Sequence, residues 1–233
     1  MHSLPESRNT LLRFLSEPMA AAVFSQAEPF KLSRRQILHM RGLPFEHVYF
    51  IEHGVVSVIA DVDGNREIEI WLVGHEGFIG LPLVLGSFSS PFKRVVSIGG
   101  EARRLPAESF QTLLAQHPEL QRLMLRYAHS IAIQTGQALA CATRHSVEQR
   151  LARWLLSAQD RLDGDVLPLT HSTLARLIGT RRASITVALN RMGESGLVDL
   201  RRGRIDIRNR DALVELSCKC YGIMRAANEA IYD

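Results

Sequence analysis

The chain reads as an α+β protein: an N-terminal antiparallel β-roll, jelly-roll-like, then one long helix, then a C-terminal winged helix-turn-helix. Three observations predict this. Short apolar or alternating runs broken by turn signals fill the stretch from about Pro29 to Leu105. A helical pattern without proline runs on from about Glu119. Thr170 to Arg210 read as helix, glycine turn, helix and arginine-rich hairpin. The expected division is 1–115 for N-terminal helices and roll, 116–143 for a dimerisation helix, and 144–233 for the winged domain with a C-terminal helix.

Helices are expected around Asn9 to Glu17 and Met19 to Ser25. The runs HVYFIEHG, VVSVIADVDGNREIEIWLV and GHEGFIGLPLVLG then supply strands. Asp63-Gly64-Asn65 is a hairpin signal, and glycines at 54, 74, 77, 80, 86, 99 and 100 mark further corners.

In the long helix, Leu120, Met124, Tyr127, Ile131, Gln134, Ala138 and Cys141 fall at alternating steps of four and three, the seam of a two-stranded coiled coil. A twin chain is expected there, making the protein a homodimer. A second stripe, Leu123, Ala128, Ala132, Ile133 and Leu139, is then free to cover the open face of the roll. The alternative is a single helix buried against its own domain.

Ser146-Val147-Glu148-Gln149 has capping-box spacing and opens a helix with Leu151, Trp154, Leu155, Ala158 and Leu162 on one face. Leu162-Asp163-Gly164-Asp165 closes it. Thr170 caps the first motif helix, Leu174, Leu177 and Ile178 give it an inner face, and Gly179 ends it. Small Ala175 leaves room for a crossing helix. In the second, Ile185, Ala188, Leu189 and Met192 face inward, and Gly193 or Gly196 stops it.

The outward face of that helix carries Ala183, Val187 and Asn190, flanked by Arg182, Ser184, Thr186 and Arg191. Arginine reads guanine or neutralises phosphate, and small apolar groups meet thymine methyls, so the face suits a major groove. Arg202-Gly203 turns a hairpin between two apolar runs, ahead of a helix expected to be capped by Asp211. Eight arginines between Arg181 and Arg210 face only Glu194, Asp199 and Asp206. Residues 1–143 hold 13 basic and 13 acidic side chains and residues 144–233 hold 15 and 11, so all of the net +4 lies in the C-terminal part. Double-stranded DNA is the expected partner of that part alone.

No apolar run of about 18 residues and no signal sequence is present, so the expected location is the cytoplasm, with no membrane partner. The three cysteines, Cys141, Cys218 and Cys220, do not describe a disulfide framework. Cys218 and Cys220 form a pair without partner ligands, so no metal site is expected and reduced thiols are. Cys141 reads as a small buried hydrophobe, with an intersubunit redox link as the alternative. No acid–base pair, nucleophile motif or phosphate-binding glycine loop suggests an enzyme. The competing class is a small-molecule-binding protein or enzyme whose basic C-terminal domain is incidental.

In this order of parts the chain resembles the Crp/Fnr family of bacterial transcription regulators, which have a cyclic-nucleotide-binding-like roll. The carriers are GHEGFIGLPLVLG in the roll, SVEQRLARWLLSAQDRL before the motif, and LTHSTLARLIGTRRASITVALNRMGESGLV with the RRGRIDI wing. The resemblance implies a homodimer on a palindromic site, a small effector in the roll and contact with RNA polymerase. It places DNA-binding residues at Thr170, His171, Arg181, Arg182, Ala183, Ser184, Thr186, Val187, Asn190 and Arg191, and at wing positions Arg201, Arg202 and Arg204. Arg182 matches a common family arginine, whereas Arg181, Ala183 and Val187 replace the usual cap and base readers. Docking therefore carries over, but the half-site does not.

The family's effector pocket corresponds to Gly80, Leu81, Pro82 and Leu83, with Arg94 a displaced candidate for the phosphate-binding arginine. Leu81 offers no acceptor to a ribose hydroxyl, and an unpaired buried hydroxyl costs about 1 kcal/mol or more, so cyclic AMP is not expected. No cysteine precedes Cys141, so the family's N-terminal iron–sulfur cluster is not expected. Haem would need a roll histidine such as His53 or His75, and single histidines in turns are ordinarily solvated. The expected effector is an unidentified small molecule, or none.

Overall fold

A computed structural model describes residues 7–64 and 67–233. Two short helices open it, α1 (Thr10–Phe14) and α2 (Glu17–Phe24). The buried Asn9 caps α1 through Leu12 N at 3.1 Å, while its amide donates to the carbonyls of Ile51 and Gly77 at 2.9 and 2.7 Å. One side chain thus starts a helix and fixes it to the roll.

The roll comprises β1 (Glu28–Leu32), β2 (Ile37–His39), β3 (His47–Asp61), β4 (Glu67–Val73), β5 (Phe78–Ile79) and β6 (Lys93–Pro106), with α3 (Leu81–Val84) after β5. All pairings are antiparallel, along the path β1-β6-β3-β4, with β2 on β6 and β5 on β3. The long partners β3 and β6 curve through register breaks around His53 and Val55. Gly54, at φ +89°, permits the close approach there, since a Cβ would stand 2.6 Å from the Ile98 carbonyl oxygen. The β3–β4 hairpin closes at Asp61 opposite Glu67; Asn65 of the expected turn lies outside the described residues. Val48, Phe50, Phe78 and Phe110 fill the core between the sheet and α4 (Ala107–Gln116).

The long helix α5 (Pro118–Arg144) forms as expected but faces differently. The coiled-coil seam is corrected: Leu120, Met124, Tyr127 and Ile131 lie in the roll's own core. Gln134 and Cys141 are buried and Ala138 half-buried, on the side covered by the chain's C-terminal helix, α10 (Cys220–Glu229). Gln134 Nε2 donates to Asn228 Oδ1 at 2.7 Å on that side. The second stripe holds in part: Leu123 lies in the roll core and Ala128 packs against it, whereas Ala132, Ile133 and Leu139 are exposed. Helix α5 is apolar on both sides, so its period could not say which side meets the chain itself.

The C-terminal half contains α6 (Val147–Gln159), β7 (Val166–Leu167), α7 (His171–Ile178), α8 (Arg182–Glu194), β8 (Val198–Arg201), β9 (Arg204–Ile207) and α9 (Arg210–Leu216) before α10. The capping box forms, with Ser146 Oγ accepting from Gln149 N at 3.2 Å and Ser146 N donating to Gln149 Oε1 at 3.1 Å. The cap of α9 is Asn209, which accepts from Ala212 N at 3.0 Å; Asp211 lies inside its first turn instead. Leu151, Leu155, Leu174, Ile185, Leu189 and Ile205 build the second core, which also takes Val55, Leu72 and Ile98 from the roll. Among the described residues no helix is long and apolar enough to cross a membrane.

Candidate nucleic-acid interface

Thr170 Oγ1 accepts from Thr173 N at 3.2 Å and starts α7, and Gly179 ends it in the left-handed conformation at φ +69°. Helix α8 then crosses with Ile185, Ala188, Leu189 and Met192 buried. Its other face is open: Arg181, Arg182, Ala183, Asn190 and Arg191 are exposed and Val187 is 52% exposed. Ser184 and Thr186 are half-buried at its edge, where Thr186 Oγ1 and His171 Nδ1 lie 3.0 Å apart. Burial, and then the Arg182 charge, lower the His171 pKa, which favours a neutral ring.

Strands β8 and β9 form the wing. Gly203 turns it at φ +72°, and a Cβ there would approach Thr170 Cγ2 to 4.0 Å, which puts the wing tip beside the start of α7. Asp199 and Asp206 stand directly opposite in the register, a like-charge pair that would repel if left bare. Arginines offset it. Arg201 and Arg208 hold Asp199 at 3.2 and 2.9 Å, and Arg204 holds Asp206 through both oxygens at 2.5 and 3.0 Å. The hydrogen bond from Arg208 chiefly lowers the Asp199 pKa, and that from Arg204 the Asp206 pKa.

The arginine surplus is therefore divided. Arg210 is also committed, to Asp160 at 2.6 Å and to the Tyr221 hydroxyl at 2.5 Å. Among the described residues, Arg181, Arg182, Arg191 and Arg202 have no carboxylate partner within salt-bridge distance. Sequence places Arg201, Arg202 and Arg204 together on the wing, but only the structure separates Arg202 from its two paired neighbours.

Leu81 and Leu83 of the family's effector pocket are core residues, and a Cβ on Gly80 would meet Val48 Cγ2 at 2.8 Å. Arg94 is 2% exposed, with its guanidinium 2.5 Å from the Phe92 carbonyl oxygen, 3.3 Å from His39 Nδ1 and 5.0 Å over the Phe45 ring. Burial pushes its pKa down to about 10.

Two features went unread in the sequence. Across the junction of the halves, Trp154 Nε1 reaches the Glu69 carboxyl, which Ser57 Oγ meets from within the roll, Arg161 pairs with Glu76 at 2.7 Å, and Arg176 pairs with Glu67 at 3.0 Å. The expectation that Cys218 and Cys220 lack partner ligands is also corrected: Cys141 Sγ lies 3.5 Å from Cys218 Sγ, and His145 Nδ1 lies 3.5 Å from Cys220 Sγ. Cys141 is thereby enclosed by its own chain rather than presented to a twin. A cysteine and a histidine four residues apart, with Cys-Lys-Cys downstream, were the signal available.

A protein with this roll, long helix and winged motif is a regulator built around a DNA-reading module. A family profile described as a cyclic nucleotide-binding domain matches residues 29–117, and one described as a Crp-like helix-turn-helix domain matches residues 149–216. The global nitrogen regulator of Synechococcus elongatus is 28% identical over 217 residues, covering 89% of this chain and 96% of the relative. A solved structure described as a Crp/Fnr-family regulator from Eubacterium rectale superposes with a TM-score of 0.69 at 19% identity, covering 91% of this chain and 99% of that one. FixK2 from Bradyrhizobium japonicum gives a TM-score of 0.71 at 17% identity, covering 82% and 98%. The chain belongs to the Crp/Fnr family of transcriptional regulators.

Proposed function

We propose that the protein is a homodimeric regulator that binds a palindromic DNA site. Helix α8 enters the major groove, Arg182 and Thr186 supply donors, and Ala183 and Val187 meet thymine methyls. Arg202 and the exposed cations of α8 hold phosphates. Arg201 and Arg204 join them by exchanging their wing aspartates for DNA. The observation that carries this reading is the open outer face of α8, which leaves Arg181, Arg182 and Arg191 exposed and, among the described residues, without carboxylate partners. Residues 144–233 act as the reading domain, residues 1–115 as the effector domain and residues 116–143 as the dimer helix between them. Contact with RNA polymerase turns binding into regulation, in the cytoplasm.

The twin meets the face of α5 that the fold leaves bare. Leu125 (44% exposed), Ala132, Gly136 and Leu139 (69% exposed) fall on it at steps of seven, four and three. Small residues there let two helices approach closely, while Leu125 and Leu139 supply apolar area. The roll takes a small effector other than cyclic AMP, since Leu81 and Leu83 are packed inward and Arg94 is spent on Phe92 and His39.

Genome-wide selection of bound DNA tests the reading. The expected product is one palindrome with half-sites about one helical turn apart, or a multiple of it. A single asymmetric half-site would count against the dimer, and binding no tighter than to bulk competitor DNA would favour incidental basicity. Calorimetry with cyclic AMP tests the effector reading, which predicts no heat of binding.

A further inference from the structure

The side chains of Cys141, His145, Cys218 and Cys220 meet where three segments converge. Cys141 sits in the last turn of α5, His145 caps that helix, and the other two cysteines lie at the joint of α9 and α10. Their ligand atoms all lie within 4.8 Å of one another. All three cysteines are buried, at 0%, 5% and 3% exposure, and the histidine is half-buried. A small-hydrophobe role accounts for one buried cysteine, but not for three converging on an imidazole.

We propose that these four residues form a tetrahedral site for one divalent cation of the zinc type. Zinc–sulfur bonds of about 2.3 Å imply sulfur atoms about 3.8 Å apart around a tetrahedral ion, close to the 3.5 Å between Cys141 Sγ and Cys218 Sγ. That separation is far from the roughly 2.05 Å of a disulfide. Three thiolates and an imidazole are the donors that zinc takes in closed structural sites, with no position left for substrate. An iron–sulfur cluster would interpose several irons and sulfides and hold its ligands farther apart than these atoms stand.

The surroundings suit a bound thiolate. Gln137 Nε2 donates to Cys220 Sγ at 3.1 Å, an outer hydrogen bond of the kind that orients a ligand. Bound there, the ion ties the end of α5 and the entry to α6 to the α9–α10 joint, and fixes the angle at which the winged half leaves the long helix.

Cobalt(II) titration of the full-length, reduced, metal-stripped protein tests the assignment. The expected spectrum has thiolate-to-cobalt charge-transfer bands and the intense visible bands of tetrahedral cobalt. It should saturate at one ion per chain and be displaced by zinc. Cys218→Ser and Cys220→Ser should abolish that spectrum, and His145→Ala should weaken binding about ten-fold or more while keeping sulfur charge transfer. Circular dichroism verifies that each variant is folded. Thiol alkylation of the unmutated protein is independent of variant folding: zinc should slow the labelling of all three cysteines together. Tetrahedral bands that persist in folded Cys218→Ser, labelling indifferent to zinc, or a chromophore that requires iron and sulfide would each overturn the single-ion site.

Discussion

Trp154 Nε1 donates to Glu69 Oε1 across 2.6 Å, joining helix α6 of the winged half to strand β4 of the roll. On the other oxygen of the same carboxyl, Ser57 Oγ approaches to 2.5 Å and in turn stands 2.5 Å from Ser97 Oγ. Burial dominates at this carboxyl and, against the two hydrogen bonds, lifts its pKa to about 7.

Stability should therefore depend on Glu69 near neutrality. A carboxyl raised above its ordinary 4.5 stabilises the folded state most below pH 4.5, and the gain is lost as pH rises through about 7. Between pH 5 and 8 the loss is on the order of 2 kcal/mol. Glu69→Gln keeps an acceptor for Trp154 and a donor for Ser57 but does not titrate. Thermal melts across that range should show the unmutated protein falling relative to Glu69→Gln, and parallel pH profiles would remove Glu69 as the cause.

The second bridge of the junction should behave oppositely to a surface ion pair. Arg161 is 6% exposed, donates to Glu76 at 2.7 Å and to the Ser157 carbonyl at 2.6 Å, and closes over Gly74. Glu76→Ala leaves that guanidinium buried without its counter-charge, so urea denaturation should show a loss of about 3–5 kcal/mol. Exposed Arg225–Glu229, at 3.2 Å, is the control, and Glu229→Ala should cost about 1 kcal/mol or less.

Local signals made most of this fold legible, because turns, caps and period belong to neighbouring residues. Ser146 and Gln149, Thr170 and Gly179, and Arg202-Gly203 each act within a few positions of themselves. What stayed hidden depends on packing between distant segments. Helix α5 carries apolar residues on both sides, and nothing before Cys220 indicates that α10 will cover Gln134. The Cys141–His145 and Cys218–Cys220 spacings are local, but the two pairs stand 77 residues apart, and only packing between distant segments shows that they meet. The junction around Glu69 was equally silent, since a glutamate in a strand of alternating residues reads as solvent-facing. On the wing, the number of arginines was plain, but how many were already paired was not.

The bare face of α5 gives a direct test of assembly. Leu139→Glu puts a charge on a residue 69% exposed in the single chain, so the fold should survive while two adjoining copies would bury unpaired carboxylates. Analytical ultracentrifugation should show the dimer weakened at least ten-fold with unchanged circular dichroism. Gln134→Ala, on the face covered by α10, should leave the dimer constant within about two-fold and reduce stability instead, through the lost bond to Asn228. A dimer indifferent to Leu139→Glu would place the partner elsewhere.

The division among the arginines predicts distinct signatures in DNA binding. Arg202 has no carboxylate to release among the described residues, so Arg202→Ala should weaken binding to all sequences alike and reduce the slope of log K against log salt by about 1. Arg201 must first leave Asp199, so Arg201→Ala should cost less affinity. Asp199→Asn should tighten binding, because it releases Arg201 and Arg208 and removes a negative charge facing the phosphates. Arg182→Ala should instead change which bases are selected at one position of each half-site, at about 1–3 kcal/mol of discrimination. Fluorescence anisotropy over a salt series, with selection of bound sequences for each variant, separates the two classes. A selected motif unchanged in Arg182→Ala, with a reduced salt slope, would reassign that arginine from base to phosphate.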